Sequence, residues 1–244
     1  MWATLLATLF RATALSFFIF VCASMHGFVL PNEKYSTETF ALLTPYLTFL
    51  VLNVIYYLSA NALQLAVSKV AHGALFCVNL ALSLFVCILF WSMFLYDKGL
   101  LIADSRINVL PMWFHHAAHS AGVFINLIDA VLWKPSAPLF SSLVLLSFFA
   151  GGYIYLLEYL IRVQKFYAYP VLKDLSDHGR VVFYGVALFL SLLCFFTAYK
   201  CTNFVSPNKK VPRTKGKANT NRAAPAGSGE TTTTGRPKKT RKSD

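Results

Sequence analysis

Six predominantly apolar stretches, at about 3–24, 41–66, 72–95, 109–133, 138–161 and 181–203, alternate along the chain with short polar separators. Each is long enough to cross a hydrocarbon layer about 30 Å thick as a helix. Their apolar residues run around the whole helix circumference instead of forming one stripe, which favours membrane spans over a soluble bundle. The separators carry breakers and interfacial residues. Pro31-Asn32-Glu33-Lys34 and Ser36-Thr37-Glu38 part the first stretch from the second, and Ser68-Lys69 with His72-Gly73 reads as a tight turn before the third. Tyr96-Asp97-Lys98-Gly99 closes the third, Trp133-Lys134-Pro135 closes the fourth, and Arg162 to Arg180 forms the longest polar connection. The expected architecture is an all-α, polytopic membrane bundle of about six helices.

The first stretch is read as a span and not a cleaved leader, because it is long, carries Arg11 in its interior and lacks a small-x-small cleavage site. An even number of spans puts both termini on one side. The positive-inside rule makes that side cytosolic, since a dense basic segment follows the sixth stretch. One loop opposes this orientation: Arg162, Lys165, Lys173 and Arg180 then lie on the other face, partly offset by Asp174 and Asp177. A five-span chain with a re-entrant segment is the alternative.

Composition sharpens the division. Of 244 residues, 57% are hydrophobic and 13% charged, and the mean hydropathy is +0.56, which excludes an ordinary soluble enzyme. Residues 1–204 hold 11 basic and 8 acidic groups, and residues 205–244 hold 11 basic and 2 acidic groups with no aromatic residue. The chain is therefore expected to comprise a membrane domain (1–204) and a disordered, basic, cytosolic tail (205–244). Such a tail is expected to rest on anionic lipid headgroups, with no specific nucleic acid as partner. Its last residues, Arg241-Lys242-Ser243-Asp244, resemble a dibasic retrieval signal. They point to the endoplasmic reticulum or another endomembrane, with the plasma membrane as the alternative. Cys22, Cys77, Cys87, Cys194 and Cys201 have no metal-type spacing.

Polar groups at membrane depth mark candidate chemistry. The fourth stretch carries His115, His116 and His119, followed by Asn126 and Asp129. Spacings of three and four let all three histidines point toward one sector, expected to face the bundle interior. They suit helix-to-helix hydrogen bonding, a metal or bis-histidine haem site, or a general base. A base needs a nucleophile, and the second stretch offers Thr44 and Thr48, with Asn53 beyond. A membrane-helix threonine commonly bonds its own i−4 carbonyl, so Thr48 also has a purely structural reading. Asn79 and Glu158 are further candidates to line the same cavity.

These residues resemble those of the androgen-induced gene one and androgen-dependent TFPI-regulating protein family, multi-span proteins that hydrolyse fatty acid esters of hydroxy fatty acids. The likeness covers about Tyr46 to Tyr199. It rests on Tyr46-Leu47-Thr48-Phe49, Tyr96-Asp97-Lys98, Leu110-Pro111-x-Trp113-x-x-His116-x-x-His119, and Tyr169-Pro170-Val171-Leu172 followed by Gly179-Arg180-Val181-Val182-Phe183. His115 stands where relatives commonly carry Asn. The resemblance implies a threonine hydrolase acting on lipid esters within the bilayer, with Thr48 as nucleophile and His119 as base. On this reading no cofactor and no metal is needed. Asn53, His115 and His116 are candidates for the substrate cavity, Asn53 as an oxyanion donor and either histidine as a partner orienting His119. A non-catalytic scaffold or transporter-like bundle is the rival reading.

Overall fold

The structure is a computed structural model that describes residues 2–24, 48, 50–60, 69–101 and 110–205. Among these every regular element is a helix. Helix α1 (Trp2–Ser24) and α2 (Leu50–Ala60) are followed by α3 (Lys69–Tyr96) and a 3-10 turn at Lys98–Leu100. Then come α4 (Met112–His119), α5 (Ala121–Trp133), α6 (Leu139–Arg162), the short α7 (Val171–Asp174) and α8 (Asp177–Val205). Helices α1, α3, α6 and α8 are long and apolar enough to cross a membrane, and α2 and α5 are shorter apolar helices. The protein is thus a polytopic helical membrane protein. Most of the second stretch before Leu50 and its end beyond Ala60 lie outside the described residues, as does the expected tail beyond Val205.

Two expectations need correction. The fourth stretch is not one helix: it breaks at Ser120, whose hydroxyl accepts a 2.7 Å hydrogen bond from Trp91 Nε1. His72-Gly73 is not a turn, because α3 starts at Lys69 and runs through both residues. Gly73 is there for close approach. A Cβ at this position would run into the Ser136 carbonyl oxygen in the α5–α6 connection, which Asn203 of α8 also grips through the backbone N–H of Ala137 at 3.2 Å. Lys134 ends α5 in the left-handed region at φ 50°, and Pro135 prevents any continuation.

The most enclosed long helix is α3, which packs against α4, α5, α6 and α8. Small residues let backbones approach where no hydrophobic force separates helix from lipid, and Ala74, Ala81, Ala117, Ala118, Ala130 and Ala198 are all buried. Large apolar side chains on α1, α6 and α8, including Phe20, Phe148 and Phe189, are exposed, as expected of surfaces that meet acyl chains. A second apolar cluster, with Leu157, Leu160, Ile161, Ala168, Leu172 and Tyr184, lies at the α6–α8 end.

Candidate active site

The interior contains a column of polar side chains, and its middle level is amide-rich. Asn79 Nδ2 on α3 donates to Asn53 Oδ1 on α2 at 3.2 Å and to Asn126 Oδ1 on α5 at 3.0 Å. Tyr57 donates its hydroxyl to Asn126 Oδ1 at 2.9 Å, and Asn126 Nδ2 donates to Ser83 Oγ at 3.0 Å. Asn53, Asn79, Ser83 and Asn126 are buried, and such groups at membrane depth must find their partners within the protein. Asn53 and Asn79 thus meet at one interior level. Glu158 is elsewhere, at the end of α6, where it accepts from Arg162 Nε at 2.7 Å and from the Tyr184 hydroxyl at 2.9 Å.

At one end of the column sits a buried ion pair. Arg11 of α1 holds Asp129 of α5 through Nε–Oδ1 at 2.7 Å and Nη2–Oδ2 at 3.0 Å, both side chains being wholly buried. Tyr56 donates to Asp129 Oδ2 at 2.8 Å, His72 Nε2 lies 3.2 Å from Arg11 Nη2, and the guanidinium lies 4.2 Å from the Trp133 ring centroid. Sequence reasoning did not pair these two charges. The signal was present as two opposite charges in otherwise apolar spans, each needing a counter-ion.

At the other end are the histidines. His119 is buried with its ring stacked on Phe90 at a centroid distance of 3.6 Å. His115 is buried beside it, 5.4 Å from Phe90 and 6.3 Å from His119. His115 Nδ1 has no hydrogen-bond partner among the described residues. His116 does not share their sector: it is exposed, with its ring 4.7 Å from Trp91, because 100° per residue carries it around the helix from its neighbour. Asp129 is engaged by Arg11, so it does not orient His119. Among the described residues no three His, Cys, Asp or Glu side chains come together as a metal-binding group.

Thr48 is helical and exposed. It continues the exposed α2 stripe of Val51, Ile55 and Leu58, about 140° around the axis from Asn53. Its depth follows from the helix register. Asn53 and Asn126 both meet Asn79, and one turn further on Tyr56 meets Asp129, so α2 and α5 advance in the same direction. Thr48 precedes Asn53 by about 7.5 Å of helix, and His119 precedes Asn126 by about 10.5 Å. The two residues therefore occupy nearly the same level, His119 in the interior and Thr48 on the exposed side of α2.

Residues 6–203 match the family described as FAR-17a/AIG1-like protein. A membrane protein of Schizosaccharomyces pombe is 32% identical over 130 residues, 52% of this chain and 58% of the relative. The androgen-dependent TFPI-regulating protein of Rattus norvegicus is 29% identical over 136 residues, 55% and 59% of the two chains. The androgen-induced gene 1 protein of Homo sapiens is 24% identical over 127 residues, 52% and 53% of the two. The chain thus spans little more than half the length of these curated relatives. No solved structure matches.

Proposed function

Because the chain belongs to the FAR-17a/AIG1-like family, we propose that it is an intramembrane threonine hydrolase that cleaves lipid esters, in particular fatty acid esters of hydroxy fatty acids. The observation that supports this best is the shared depth of Thr48 and His119, held by the amide contacts of Asn53, Asn79 and Asn126. Thr48 Oγ attacks the ester carbonyl while His119 takes its proton. Collapse of the tetrahedral intermediate returns that proton to the departing hydroxy fatty acid and leaves an acyl-threonine. Water, deprotonated by His119, then attacks the acyl carbonyl, releasing the second acid and restoring the Thr48 hydroxyl. The exposure of Thr48 suits a substrate whose chains arrive sideways from lipid. In this scheme Asn53 holds the helix register, and the substrate uses the apolar surface around Thr48.

The membrane domain ends near Phe204 in this reading, and the basic tail is cytosolic, held near anionic headgroups. The test is covalent labelling of the purified chain by an alkyl phosphonate probe alongside hydrolysis of a fatty acid ester of a hydroxy fatty acid. Thr48→Ala and the volume-preserving His119→Gln should each abolish both signals with normal expression, while His115→Ala should reduce them only in part. Undiminished labelling and turnover in Thr48→Ala would refute the mechanism and favour a scaffold.

A further inference from the structure

The basic loop that opposes the positive-inside pattern builds a cavity. Arg162, Lys165, Tyr167, Asp177, Arg180 and Ile161 line a space of about 240 Å³ where α6 ends and α8 begins. Both helices are membrane spans, so the cavity sits at a membrane–water boundary. Three cations face two carboxylates there, Asp177 and the neighbouring Glu158. Arg180 is locked by Glu158 at 3.2 Å and Asp177 at 2.6 Å, and Arg162 uses only Nε, on Glu158 at 2.7 Å. Both Nη groups of Arg162 and the Lys165 ammonium have no protein partner among the described residues. The carboxylates thus fix the arginine forks while leaving donors for an outside anion.

Lys165 is placed by the backbone. Its φ of 54° is left-handed, where glycine is the usual residue, and the Phe166 N–H to Leu160 carbonyl bond of 3.0 Å folds the chain back over the end of α6. A lysine in this position is strained. Beside the cavity, Tyr155, Val163, Val181 and Val182 present exposed apolar surface along the same two helices. A cationic recess continuous with lipid-facing apolar walls is complementary to a phosphate headgroup carrying acyl chains.

We propose that this cavity is a binding site for the phosphate of an anionic phospholipid, separate from the Thr48–His119 level and independent of the hydrolase reading. The full chain in neutral detergent is titrated with dioctanoyl phosphatidic acid, dioctanoyl phosphatidylcholine or inorganic phosphate, and binding is read from the shift in thermal midpoint. The variant Arg162→Gln/Lys165→Gly removes the free Nη donors of Arg162 and the Lys165 ammonium, and its glycine suits the left-handed backbone. Lys173→Gln, at an exposed position of α7 that does not line the cavity, removes a charge from the same loop. The basic tail attracts anionic lipid equally in every variant, so the differences between variants report the cavity. Phosphatidic acid should bind the wild type at least tenfold tighter than phosphatidylcholine, and the double variant should lose at least fivefold of that affinity while Lys173→Gln loses less than twofold. Equal losses in the double variant and Lys173→Gln, or none in the double variant, would reduce the effect to bulk charge and overturn the proposal. Inorganic phosphate binding as tightly as phosphatidic acid would overturn the lipid assignment.

Discussion

Removing Asp129 tests whether the Arg11–Asp129 pair ties α1 to the bundle. In Asp129→Ala, Arg11 loses its 2.7 Å and 3.0 Å contacts, and Tyr56 loses its 2.8 Å acceptor. The guanidinium is then wholly buried against His72, Tyr56 and Trp133 without a counter-ion. Breaking a buried pair by deleting one partner costs about 3–5 kcal/mol, and an orphaned hydroxyl adds about 1 kcal/mol. At roughly 2–4 °C per kcal/mol for a chain of this size, the thermal midpoint should fall by about 8–24 °C. Arg11→Met strands the carboxylate and should cost a comparable amount. The double variant Arg11→Met/Asp129→Leu removes both charges and should cost less than the sum of the two singles, by a coupling energy of about 2–3 kcal/mol. The assay is the fraction of detergent-solubilised protein that stays monodisperse on size-exclusion chromatography after heating. Losses in the double variant equal to the sum of the singles, within about 0.5 kcal/mol, would refute the argument, since they would show two independent sites and no shared ion pair.

Two further predictions use the same assay. Gly73→Ala should cost about 1–3 kcal/mol because its methyl meets the backbone oxygen of Ser136, which cannot swing aside. Gly151→Ala, into open space, should be neutral or slightly stabilising. Tyr169, in the α6–α8 connection, has its phenol pushed up by burial to about 12 from an ordinary 10. Its folded-state stabilisation is complete below pH 10 and is lost as pH rises through 12, so Tyr169→Phe should flatten the alkaline fall of the melting midpoint across that window.

The membrane class and the order of the apolar helices are consequences of local composition, and the sequence alone determines them. A backbone in lipid must satisfy its own hydrogen bonds, so about 20 apolar residues leave little choice but a helix. The stops at Tyr96 and Trp133 were legible for the same reason, as Asp97, Lys98 and the Lys134-Pro135 pair prefer the interface or forbid a helix. Azimuth and partnership are not local. Whether the sector of His115 and His119 faces the interior, which side of α2 carries Thr48, and that Gly73 admits a neighbouring backbone depend on how helices far apart in sequence rotate against one another. Arg11 and Asp129 are 118 residues apart, and each charge shows in the sequence only as an anomaly in an apolar span. Tertiary packing decides that they meet, because burying either charge alone costs several kcal/mol and burying them together satisfies both.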